Sequence, residues 1–386
     1  MKTFNTEKEI SPEYQYLLSS CDETGTKPLF FDIETTGFSP RSNMVYLIGL
    51  SFPDENKKLC AIQFLAEGID DERELLLCFL EMLNKHSDMI LTGYNISSFD
   101  IPFLNARLSK YSLPSIPLSH RDLFSDVKKL SNIFPMKGRR LLDIEAFLGI
   151  VRKEDKSGGD LIPVFFEYAL SHEKRYEEQL LLHNLSDILD LFPLLVLDEL
   201  KKLFSPELSV KKIVLSDAPS VSFSGNSGIH IFSPFSIRTD LFFFSFEKGE
   251  IKGTIHFEHR VLKHFLADKN AYVYLINEER IIPKALSSTL DKERIRKPLK
   301  EECFVEDEGD FFPVPSGFFD EESALFGPLY KSSYSEKRCY IKKDRQAVTE
   351  EFLNSYAGML LKNYLTSRFS DRRTKTFCQD QSPYNP

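Results

Sequence analysis

The 386-residue sequence predicts an α/β domain, a mixed five-stranded sheet flanked by helices, followed by a smaller β-rich α+β domain. Three observations carry that expectation. Apolar, strand-like runs at 29–33, 44–52 and 59–65 follow one another across short turn-like segments, GFSPRSN and PDENKK, which suits an antiparallel meander. From residue 70 the spacing turns helical and then alternates with strand-like runs. Beyond about residue 205 the texture becomes short, Phe-rich and partly alternating.

Taken in order, residues 1–26 read as an N-terminal extension with a short helix over 12–18. The three meander strands follow. DDERELLLCFLEMLNKH places apolar residues at helical spacing and acids in the first turn, which complement a helix N-terminus. MILTGYN is the fourth strand. SSFDIPFLNARLSKY is a helix that Ser97 or Ser98 can cap and whose first turn tolerates Pro102. IPLSHRDLF is the fifth strand, LLDIEAFLGI a helix and KSGGDLIP a loop. EEQLLLHNLSDILDLFPLLVLDELKKLF is the longest helical pattern, broken near Pro193. These elements make a domain over 27–204. A β-rich accessory domain spans 205–370, in which VEDEGDFFPVPSGFFDEESALFGP is expected to be a loop and 346–369 a helix; a polar, disordered tail covers 371–386.

Composition fits a folded, soluble chain, with 42% hydrophobic and 28% charged residues. No apolar run reaches the length of a membrane span, so no membrane partner is expected. The six cysteines include no C-x-x-C pair, which argues against a zinc site or a disulfide framework and places the protein in a reducing cytoplasm. The first 200 residues hold 21 basic and 32 acidic groups, the remainder 28 and 26, so the N-terminal half carries −11 and the C-terminal half +2 of the net −9. Such a half can handle phosphates if divalent metal neutralises some of its acids.

The acids that stand out are Asp32 and Glu34 in FFDIETTG. Residues i and i+2 of a strand share a face, so both carboxylates project together and repel unless a cation lies between them. Asp100 falls in the first turn of a helix, where it suits the helix dipole without any metal. His183 and Asp187 stand at i and i+4 on one face of the long helix, a common surface pairing. Each feature alone has an ordinary structural explanation.

Together they resemble the DnaQ-like, or DEDD, family of 3′-5′ exonucleases, whose fold is ribonuclease H-like. Asp32-Ile33-Glu34 followed by Thr35-Thr36-Gly37 matches the first motif; Asn95, Phe99 and Asp100 match the second; Asp187 behind His183 matches the third. Asp190 breaks the family spacing. The segment from LDIEAFLGIVRKEDKSGGDLIP to LLHNLSDILDL is most similar to the YprB-like bacterial exonuclease group. His183 stands at the spacing that a tyrosine occupies in one large subfamily.

The resemblance implies a metal-dependent 3′-5′ exonuclease acting on single-stranded or 3′-ended nucleic acid, DNA rather than RNA, in repair, and by analogy a helicase partner. Two ions about 4 Å apart, Mg²⁺ or Mn²⁺, would be held by Asp32, Glu34, Asp100 and Asp187, with Asp32 bridging. His183 would orient the attacking water or take its proton. Thr35, Thr36 and Gly37 would meet the terminal nucleotide, Asn95 and Phe99 would shape its pocket, and Arg107 and the run Lys137, Arg139, Arg140 would contact phosphate. The alternatives are a catalytically silent binding module with the same fold and an endonucleolytic ribonuclease H-like enzyme.

Overall fold

The computed structural model describes residues 1–18, 27–131, 133–134, 136–150, 158–215, 218–230, 234–315, 327–343 and 348–370. The expected disordered tail lies outside them. The chain divides into two compact units, one built on Met1–Lys201 and one on Lys202–Ser367.

The first unit is a six-stranded mixed sheet with helices packed on it. Its elements are β1 (Lys2–Glu9), β2 (Pro28–Thr35), β3 (Val45–Pro53), β4 (Lys58–Leu65), α1 (Glu72–Lys85), β5 (Ile90–Gly93), α2 (Asp100–Lys110), β6 (His120–Asp122), α3 (Leu123–Leu130), α4 (Leu141–Leu148), α5 (Gly158–Ser171), α6 (Lys174–Asp190) and α7 (Val196–Lys202). The sheet order is β1-β4-β3-β2-β5-β6. The meander β2-β3-β4 is antiparallel, and β5 and β6 join β2 in parallel. The core lies between sheet and helices, with Phe31 against Phe79 of α1 and Tyr46 stacked at 4.3 Å on Phe165 of α5. Burying each such side chain contributes about 1.5–3 kcal/mol.

Several elements depart from the sequence expectation. The sheet has six strands rather than five because residues 2–9, assigned to an extension, pair along the whole of β4. The segment KSGGDLIP, expected as a loop, is helical from Gly158 onward, with Pro163 inside α5. A stretch of the acidic segment expected as a loop is an eleven-residue strand, Phe304–Val314, two of whose four acids face basic partners across the ladder: Glu306 opposite Lys263 and Asp310 opposite His259. The long helical pattern breaks as expected, α6 giving way to a 3₁₀ turn at Pro193–Leu195 and then α7. Although Lys174–Lys202 is apolar and long enough to cross a bilayer, 67% of its apolar window is buried, and α6 packs on β2, β3 and β4 as a core helix.

The second unit is β-rich. A five-stranded antiparallel sheet runs, in spatial order, Ser209–Leu215, Ser220–Asn226, Glu250–His256, Phe242–Glu247 and Phe235–Arg238. A four-stranded sheet is formed by Glu258–Phe265, Phe304–Val314, Cys339–Lys342 and Leu329–Tyr330, and a three-stranded one by Arg280–Pro283, Tyr272–Leu275 and Ile295–Arg296. The helix Glu350–Ser370 contributes Tyr356, whose buried hydroxyl donates to Pro313 O.

Candidate active site

β2 is buried on both faces, with Asp32 in its middle reaching solvent only at its edge. Asp32 pairs with Gly49 of β3, and the ladder is irregular between Glu34 and Thr35, a bulge of the kind that re-aims side chains beside functional sites. Asp100 is the first residue of α2, and burial chiefly pushes its carboxyl up to about 7, with Asp122 and Asp187 adding repulsion against donation from the backbone N–H groups of Asp100 and Ile33. Asp122, at the end of β6, accepts from Asn95 N at 2.8 Å, Ser97 N at 3.1 Å and Phe124 N at 3.0 Å. It thereby pins the turn in which Asn95 adopts φ +63°, just ahead of Asp100.

From the other side α6 brings His183 and Asp187 onto the same cluster. His183 is buried, its Nε2 3.4 Å from Glu34 Oε1 and 3.4 Å from Asp187 Oδ2. One donor atom each from Glu34, His183 and Asp187 lie within 4.8 Å of one another, close enough to share a metal ion. Asp32 is held well above the usual carboxylate range, first by burial and then by Asp187, Asp100 and Glu34, with an N–H from Asn184 opposing them. Burial, Glu34 and Asp32 likewise hold the Tyr46 phenol neutral. Carboxylates crowded until one resists ionising, beside an imidazole, form a hard-donor set that fits a divalent cation.

The other expected contacts are distributed around this centre. The Thr36 N–H donates to Met44 O at 2.9 Å, and its hydroxyl accepts from Met44 N at 3.0 Å, so both serve the loop itself. Thr35 Oγ1 donates to Gly37 O at 3.0 Å. A Cβ on Gly37 (φ +155°) would fall 2.7 Å from Asn43 Oδ1, which keeps that position glycine. Phe99 packs on Phe103, with ring centres 5.5 Å apart, and meets Phe38 edge-on at 6.2 Å. Phe38 itself is 89% exposed, and only its place directly after the D-x-E-T-T-G run signals it in the sequence. Lys137, Arg139 and Arg140 are exposed, and Arg139 O accepts from Tyr94 Oη at 2.6 Å, beside Asn95.

Arg107 departs from its expected phosphate contact. It is buried against Glu72, donating from Nε at 2.7 Å and from Nη2, and its Nη1 donates to Pro40 O at 2.7 Å. Glu72 also accepts from Val45 N at 2.9 Å and Tyr111 Oη at 2.8 Å. The pair thus holds the loop that carries Phe38 at its middle, Pro40, and where it enters β3, Val45.

The fold is ribonuclease H-like: residues 29–197 match the RNase_H superfamily model, RNase_H_2, a superfamily that generally hydrolyses nucleic-acid phosphodiesters and typically uses divalent metals. The chain is 30% identical over 139 residues to the uncharacterized protein MJ0365 of Methanocaldococcus jannaschii, across 35% of this chain and 74% of that protein. It belongs to the same family. Among solved structures, the family B DNA polymerase of Pyrobaculum calidifontis matches at 18% identity with a TM-score of 0.37, over 46% of this chain and 25% of the polymerase, too distant a likeness to bear on function.

Proposed function

We propose that the protein is a metal-dependent 3′-5′ exonuclease of the DnaQ-like, DEDD type, related to the YprB-like group and acting on DNA in preference to RNA. The observation that carries this reading is the convergence of Asp32, Glu34, Asp100, His183 and Asp187 from β2, α2 and α6 in an RNase H-superfamily domain. The four carboxylates would hold two divalent ions, Mg²⁺ or Mn²⁺, which supply a nucleophilic water and charge stabilisation for phosphodiester cleavage.

The chain's own groups do the rest. His183, fixed between Glu34 and Asp187, holds the attacking water or takes its proton. Its burial limits the positions the imidazole can adopt. Phe38 and Phe99 offer ring faces to the last bases of a strand. Lys137, Arg139 and Arg140 are exposed cations available to its phosphates.

The test is incubation of 5′-labelled single-stranded DNA and RNA of one sequence with wild type and Asp32→Ala in Mn²⁺, Mg²⁺ or EDTA. A ladder shortening from the 3′ end, lost in EDTA and reduced about 10³-fold or more by the substitution, is the expected result. Binding without shortening in either metal would instead make the protein a silent binding module.

A further inference from the structure

One row of residues crosses the sheet beneath the site. Asp32 of β2 stands opposite Gly49 of β3, and Gly49 stands opposite Gln63 of β4. The middle member has no side chain, and Asn184 of α6 occupies the space. A Cβ on Gly49 would lie 2.1 Å from Asn184 Oδ1, so the gap exists only because residue 49 is glycine. Asn184 is fully buried and bridges the outer two. Its Oδ1 accepts from Gln63 Nε2 at 2.9 Å, and its Nδ2 donates to Asp32 Oδ2 at 3.2 Å and to Asp32 O at 3.4 Å.

The direction of this chain is fixed from its far end. A side-chain amide can present either its oxygen or its nitrogen, and the network decides which. Gln63, 2% exposed, also donates from Nε2 to Leu181 O at 3.0 Å, and a main-chain carbonyl can only accept. That bond orients the Gln63 amide, which orients Asn184, which turns an N–H and not a carbonyl toward Asp32. Reversal at any step would set an oxygen against a carboxylate in a buried place.

We propose that Gln63 is a positioning residue for the active site: acting through Asn184, it ties back one oxygen of Asp32 and leaves the other for the divalent ion. The inference rests on Asp32 being a metal ligand. Outer groups that orient metal ligands typically change metal affinity or activity about 10–100-fold when removed.

The experiment measures equilibrium Mn²⁺ binding, kcat and KM on a 5′-labelled strand, and thermal unfolding in EDTA, for wild type, Gln63→Met, Gln63→Glu, Asn184→Leu and the Gln63→Met/Asn184→Leu double variant. Methionine keeps the volume and loses both donated bonds. Mn²⁺ affinity and kcat should fall together by about 10–100-fold, with KM unchanged. Glutamate keeps the shape and presents an acceptor, so it should lose at least as much. In the Asn184→Leu background Gln63→Met should add nothing further to the loss of Mn²⁺ affinity.

Wild-type Mn²⁺ affinity in both Gln63 variants, or losses that simply add in the double variant, would overturn the relay and assign Gln63 to packing. A fall in melting temperature in EDTA with Mn²⁺ affinity intact would do the same. A wild-type protein that binds no Mn²⁺ would refute the metal reading itself, and the relay with it.

Discussion

Arg107→Met is the perturbation with the largest expected effect on stability. Methionine fills part of the same buried volume, yet it removes the donations from Nε and Nη2 to Glu72 and from Nη1 to Pro40 O. Glu72, 1% exposed, keeps only Val45 N and Tyr111 Oη as donors and becomes a buried anion with no cation beside it. Breaking one side of such a pair costs about 3–5 kcal/mol. For a unit of this size each kcal/mol moves the melting point by about 2–4 °C, so a fall of about 6–20 °C is expected by circular dichroism in EDTA. Glu72→Gln/Arg107→Met removes the stranded charge and should recover most of the loss. Because the clamp holds the loop carrying Phe38, the single variant should also raise KM for an oligonucleotide. A loss below about 1 kcal/mol, or a double variant as unstable as the single, would refute the claim that the buried charge dominates.

Two further outcomes follow from the site. Asp100 keeps its proton in the folded state up to about pH 7 but loses it near 3.8 when unfolded, so the folded form binds more protons between those values and metal-free stability should fall as pH rises through that window, by up to about 4 kcal/mol. Urea titrations in EDTA from pH 4 to 8 should show that slope, Asp100→Asn should make it shallower while Asp32 still contributes, and an unchanged slope in the variant would assign it to other groups. Phe38→Ala should leave the melting temperature in place, since the ring is 89% exposed, while KM for single-stranded DNA rises about 5–100-fold if the ring stacks on a base; an unchanged KM would remove Phe38 from the substrate path.

The acids were legible because each interrupts an apolar pattern: Asp32 and Glu34 break a strand, and His183 and Asp187 break a core helix face. Strand alternation and helix spacing put each pair on one face. What supports them was less visible. Gln63 sits in KLCAIQFL and Asn184 beside a motif histidine, and nothing local says that the two meet across a glycine on a third strand. Arg107 had the look of a surface cation because its partner lies 35 positions away. The start of α5 was hidden by Gly158, Gly159 and Pro163, all poor helix formers that its packing overrides. β1 was hidden for the opposite reason: KTFNTEKE is too polar to look like a strand, and its ladder with β4 supplies what its own hydrophobicity lacks.

That polarity has a consequence for the behaviour of the chain in solution. A sheet ends in two rows of unpaired backbone groups, and a long apolar edge invites other molecules to add strands. Here one margin is β6, only three residues long, and the other is β1, which carries Lys2, Glu7, Lys8 and Glu9 at exposed or half-exposed positions on its two faces. β4, which β1 covers, is by contrast an apolar segment of the kind that seeds cross-chain pairing. Residues 2–9 thus act as a charged guard rail, and a chain that began at β2 should present the bare strand and aggregate.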